Sequence, residues 1–154
     1  MIMASQGIHL VLPSSFLPRK TALLVPHTDD KRVIFLVPWH DHVLVGTTDT
    51  AVKKPTLEPH ALRQEIEFLL KHAARYLSKD PQLSDVLSVF AGLRPLIKHP
   101  AKSTAALSRE HSITLSKSGL ITIAGGKWTT YRKMAQDVLD QLSPSRPCRT
   151  HRSR

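Results

Sequence analysis

SGLITIAGGKWTTYRKMAQDVLDQL, Ser118 to Leu142, is the stretch whose reading decides the fold. Leu120 to Ala124 is a short run of β-branched and apolar residues, which predicts a buried strand. Gly125 and Gly126 follow it, and two adjacent glycines admit positive φ and close approach of the backbone to a ligand. A helix then begins. Thr129 or Thr130 can cap it, and Met134, Ala135, Val138, Leu139 and Leu142 recur on one face. A helix start carries unpaired N–H groups and partial positive charge, to which Lys127 adds a full charge and Arg132 can add another. Such a turn suits an anion or an electron-rich oxygen, or is simply a tight turn beside a solvated lysine; the local residues leave both open. It is not a P-loop: Trp128 stands where a magnesium-binding hydroxyl belongs, and Ile121 stands where the first glycine belongs.

Working outward, Ala105 to Leu115 reads as the preceding strand, turned back by Lys117 to Gly119. Asp85 to Leu96 is nearly continuous apolar sequence and predicts another buried strand. Arg94 interrupts it immediately before Pro95, which biases the arginine to extended geometry. A buried guanidinium needs partners, so Arg94 pairs either with an acid of this chain or with a phosphate or carboxylate ligand. Glu58 to Leu77 is the plainest helix: Pro59 suits its first turn, and Leu62, Ile66, Leu69, Leu70, Ala73 and Leu77 form one stripe. No chemistry is assigned to it.

Arg32 to Val37 and Val43 to Thr48 predict a hairpin around PWHDH. His40 and His42 lack the further ligands a zinc site needs, so no metal is expected. GTTDT, Gly46 to Thr50, can tie up loop backbone or contact a polyol. Ala22 to Val25 and Gly7 to Leu12 are two more strands, with His9 inside the latter. A lone strand histidine is more often structural than functional. Antiparallel strands plus two main helices define an α+β class. Residues 1–6 read as a leader, 7–142 as the folded body and 143–154 as a disordered basic tail.

The 154 residues suffice for one domain with a real core, and 41% hydrophobic with 22% charged residues fits a soluble globular protein. A formal net charge of +10 favours acidic ligands, though Arg146, Arg149, Arg152 and Arg154 concentrate part of it in the tail. Aromatics at 5% argue against a base-stacking nucleic-acid platform. Cys148 is the only cysteine, which excludes an intrachain disulfide. No signal peptide and no apolar stretch long enough to cross a bilayer are legible.

Six segments in this order, GIHLVLP, RVIFLVPW, GTTDT, DVLSVFAGLRPL, STAALSREH and SGLITIAGGKWTTYRKMA, together resemble the FAD-dependent glycerol-3-phosphate dehydrogenases. The resemblance runs from about Gly7 to Leu142, and GGKWTTYR and GLRPL are its most specific parts. It implies the substrate-domain portion of a flavoprotein similar to the glycine and D-amino acid oxidases, with FAD as cofactor. It implies oxidation of sn-glycerol 3-phosphate to dihydroxyacetone phosphate, with electrons passed on to quinone or another acceptor. It also implies a cytoplasmic or peripheral-membrane location and no nucleic-acid partner.

By the same resemblance His9 and Lys127 are catalytic, and Arg94 and Arg109 bind the substrate phosphate. Gly125, Gly126, Lys127, Trp128, Thr129 and Thr130 are the cofactor-binding loop. One departure stands out: the six glycines, at 7, 46, 92, 119, 125 and 126, spell no GxGxxG for the FAD pyrophosphate. The expectation is therefore an internal piece of such an enzyme, binding FAD weakly or not at all and turning over nothing by itself. The rivals are a stand-alone basic binding module for nucleic acid or an acidic partner, and a phosphometabolite-binding domain.

Overall fold

A computed structural model describes residues 2–18, 20–30, 32–97 and 111–142. Its spine is β1, Ile2–Pro13, a strand that takes in most of the expected leader. Along one edge β1 pairs antiparallel with β6, Ser88–Ile97, from Ile2 opposite Ile97 to Val11 opposite Ser88. Along the other edge it pairs with β4, His42–Gly46, and then with β5, Thr50–Val52. Outside β4 lie β3, Ile34–Trp39, and β2, Leu23–Val25. The β3–β4 turn is the two residues His40 and Asp41, both at positive φ, the geometry that suits a two-residue hairpin to strand twist.

Strand alternation gives the sheet two different faces. Ile8, Leu10 and Leu12 point to the buried one, where they pack with Phe16, Val25, Ile34, Leu36, Val43 and Val45. Helix α1, Arg63–Ala74, covers this face through Leu69, Leu70 and Ala73. Burying each such aliphatic side chain contributes about 1.5–3 kcal/mol, which fixes which face of β1 points inward. The opposite face carries His9 and Val11, half-buried, with Phe90 and Phe35 exposed beside them.

GTTDT resolves into a bulge. β4 pairs with β1 up to Gly46 opposite His9, and β5 resumes with Thr50 opposite Gln6. Thr47, Thr48 and Asp49 thus face only Gly7 and Ile8, one residue too many for a regular ladder. The Gly46–Thr47 peptide is cis. Ile8 N–H, without a ladder partner there, donates to Thr48 Oγ1 at 3.1 Å.

Three expectations need correction. The helix is shorter than Glu58 to Leu77, because Glu65 accepts the Leu62 N–H at 2.9 Å and the His60 carbonyl is taken by Gln6 Nε2 at 2.9 Å. The run from Asp85 is not a buried strand throughout: Leu83–Asp85 is a short 3-10 turn, and β6 alternates in exposure because Val89 and Ala91 face the core while Phe90 faces the uncovered side. The strand expected from Leu120 to Ala124 is Ile121–Gly125, β8, and none of its residues is buried: Ile121 and Ala124 are half-buried and the other three are exposed. With β7, His111–Leu115, it makes a separate ribbon that leads to helix α2, Tyr131–Leu142. The first part of the strand expected from Ala105 lies outside the described residues, as does the tail 143–154. Otherwise the antiparallel α+β class with two helices holds. No helix among the described residues is long and apolar enough to cross a membrane.

Candidate functional site

Cross-strand partners share a face of a sheet. His9 lies opposite Gly46 on β4 and Phe90 on β6, Gly7 lies opposite Gly92, and Ser5 lies opposite Arg94. His9, Phe90 and Arg94 therefore stand together on the face that α1 does not cover. The His9 ring stacks on Phe90 at 5.1 Å between centroids and 8° between planes. It lies over Gly46, where a Cβ would come 2.2 Å from His9 Cδ2. Arg94 crosses Gly7 in the same way: a Cβ there would sit 2.1 Å from Nη2. Gly92, between the two, has open space above it. Glycine at 7 and 46 is what lets these two side chains lie flat along the sheet.

The guanidinium is aimed by the bulge. Arg94 Nη1 donates to the Thr48 carbonyl at 3.0 Å and Nη2 to Thr47 Oγ1 at 2.8 Å. Both acceptors are neutral, and the two contacts fix the plane of the guanidinium. Burial, and then the nearby positive charge of Arg94, hold the His9 imidazole below its ordinary pKa. Both causes favour the neutral, basic imidazole.

Arg94 also borders the glycine turn that follows β8. Leu93 to Ile97 and the Gly125–Gly126 turn line one cavity of about 280 Å³. Gly125 and Gly126 have φ of 78° and 85°, and a Cβ on Gly126 would strike Met134 Sδ at 2.3 Å. Glycine is required there by conformation, and at 126 a side chain would also make Met134 shift. Lys127 comes next and is exposed, outside that cavity lining. Its N–H donates to Thr130 Oγ1 at 3.2 Å, and Thr130 Oγ1 donates back to the Lys127 carbonyl at 3.0 Å. Thr130 thus closes a 3-10 turn, Trp128–Thr130, rather than capping α2 directly, with Trp128 and Thr129 exposed on it. Arg109 lies outside the described residues.

Three contributors were not singled out from sequence: Gly7, Phe90 and Glu65. Glu65 had a legible signal, since it stands four residues before Leu69 and hence on the buried side of α1. Gly7 and Phe90 matter only through their cross-strand neighbours, which no local pattern encodes.

Residues 1–132 match the DAO family, FAD dependent oxidoreductase, and the chain belongs to that family. Within it, the chain is 49% identical over 141 residues to a probable mitochondrial glycerol-3-phosphate dehydrogenase of Caenorhabditis elegans, covering 90% of this chain and 19% of that one. It is 44% identical to the mitochondrial glycerol-3-phosphate dehydrogenase SDP6 of Arabidopsis thaliana, over 99% of this chain and 25% of the relative. The glycerol-3-phosphate dehydrogenase from Bacillus halodurans, solved in complex with FAD, superposes with a TM-score of 0.71 at 37% identity, over 96% of this chain and 28% of that one. The chain therefore spans between about a fifth and a little over a quarter of the length of these relatives.

Proposed function

We propose that this chain forms the substrate-facing part of an FAD-dependent glycerol-3-phosphate dehydrogenase. The observation that carries the reading is the placement of Arg94. It shares a sheet face with His9 and a cavity with Gly125 and Gly126. A phosphate monoester brings about −1.5 to −2 charge and three strong acceptor oxygens, which suits the Arg94 guanidinium, with Arg109 as a second partner. Oxidation at C2 of the glycerol turns an alcohol into a ketone, so the hydroxyl proton must leave. His9, half-buried and favoured in its basic form, is the group to take it.

The residues fit the ring-bearing half of FAD: the open space over Gly92, the flat His9–Phe90 stack, and a glycine turn whose backbone can approach a ligand closely. FAD, when bound, supplies the two-electron acceptor for the hydrogen leaving C2. Gly125 to Thr130 would lie against the ring, where Lys127 and the N–H groups at the start of the turn favour developing negative charge. The six glycines of this chain form no pyrophosphate loop, so its own hold on the cofactor is weak. Passage of electrons to a quinone at a membrane surface belongs to the same proposal.

The test is glycerol 3-phosphate-dependent reduction of an artificial acceptor with FAD present. It is run on the 154-residue chain alone and with a second polypeptide that supplies a GxGxxG domain. Turnover only in the combined sample, abolished by His9→Ala, is the expected result. Complementation that leaves His9→Ala as active as wild type would refute the assignment of the base.

A further inference from the structure

We propose that Glu65, on the far side of the sheet from the site, is a positioning residue that sets the aim of Arg94 through Thr48. The inference rests on the reading of Arg94 as the phosphate-binding group, but its first readout does not.

Glu65 is 3% exposed, in the first turn of α1. Its carboxylate accepts four hydrogen bonds: from Gln6 Nε2 at 2.7 Å, Leu62 N–H at 2.9 Å, Thr48 Oγ1 at 3.0 Å and Thr50 Oγ1 at 2.6 Å. A buried carboxylate is expensive unless every lone pair is used. A helix N-terminus alone is served as well by a short Ser, Asp or Asn at its cap. What Glu65 does beyond capping is seize both threonines that flank Asp49 in the GTTDT bulge.

The bulge is where ladder bonds are missing, so side-chain bonds decide how its residues point. Thr48 is held from below, its hydroxyl donating to Glu65 Oε1 and accepting from Ile8 N–H. That fixes the peptide whose carbonyl faces the other way and accepts from Arg94 Nη1 at 3.0 Å. The chain of contact runs Glu65, Thr48, Arg94, crossing the sheet at the bulge between β4 and β5. A hydrogen bond to a charged group contributes more than a neutral one, so loss of the Thr48 anchor reaches the guanidinium.

Nitrogen-15 NMR of the arginine side chains in the 154-residue chain reads Arg94 directly, as rotation about its Nε–Cζ bond. The variants are Glu65→Gln, Thr48→Val, Thr48→Ser and Thr50→Val, each followed by titration with glycerol 3-phosphate. Glu65→Gln and Thr48→Val should speed Arg94 rotation about tenfold and raise the glycerol 3-phosphate Kd by a similar factor. Thr48→Ser keeps the hydroxyl and should restore both. Thr50→Val, which removes a Glu65 partner not joined to Arg94, should leave rotation as in wild type.

Unchanged Arg94 rotation in Thr48→Val overturns the proposal, as does Thr50→Val loosening Arg94 equally, which would make the effect general slackness. If Glu65→Gln does not fold, Thr48→Val, a loss of one hydroxyl, decides alone. If glycerol 3-phosphate shifts nothing in wild type, the functional reading fails, and the rotation data still decide whether Glu65 aims Arg94.

Discussion

At Gly7 the missing side chain is occupied by another residue's charge. A Cβ there would lie 2.1 Å from Arg94 Nη2, which is the far end of a long, flexible side chain that can shift at the cost of its bonds to Thr47 and Thr48. Gly7→Ala should therefore fold with a stability change of about 1 kcal/mol or less, while displacing the cation. Affinity for glycerol 3-phosphate should fall about tenfold or more, the worth of a charge-assisted hydrogen bond. Calorimetry beside thermal melting separates the two effects, and unaltered affinity in a folded Gly7→Ala protein would dissociate Arg94 from the site.

His9 makes a second prediction at this scale. Its pKa is lowered by burial first and by Arg94 second. The basic form is the active one, so kcat/KM in the complemented enzyme should fall only as pH drops through a value below the ordinary 6.5. Arg94→Ala removes the second cause alone, so the acid limb should move part of the way back up. A limb that moves down instead would contradict the sign.

At the scale of elements, α1 joins the core to the site. The periodic stripe placed Leu62 and Leu69 together, yet Leu69 is fully buried and Leu62 is 43% exposed. Leu69→Ala should cost about 2–5 kcal/mol, and Leu62→Ala about 1 kcal/mol or less. Urea unfolding measures both, and equal losses would mean that the helix starts earlier than Arg63. The stripe was legible because helical period survives in sequence. The start was not, because it is decided by Glu65 and Gln6, 59 positions apart, meeting across the core. β6 illustrates the same limit. Its apolar run reads as fully buried, but only one face of it, with Val89 and Ala91, meets the core, and which faces are covered is a property of the whole fold.

At the scale of the molecule, the +10 charge is shared between body and tail. Binding to a polyanion such as heparin is expected from that charge alone. Deleting residues 143–154 removes four arginines and no acid, so retention and its salt dependence should both drop. An unchanged salt slope would locate the contacts on the folded body and revive the reading of a dedicated polyanion binder. The cavity that joins Arg94 to Gly125 and Gly126 belongs to this scale too, since it unites segments about 30 residues apart.

Sequence by itself determined the local geometry and the family. Alternation sent Ile8, Leu10 and Leu12 to one side of β1 and His9 to the other, and paired glycines placed the turn before Lys127. The order of six short segments carried the resemblance to a flavin-dependent dehydrogenase. Only the tertiary structure decided that Arg94 lies across Gly7, that His9 stacks on Phe90, and that a buried carboxylate holds the bulge between them. Periods of two and 3.6 are written residue by residue along a chain, whereas register between distant strands is set by the packing of all of them at once.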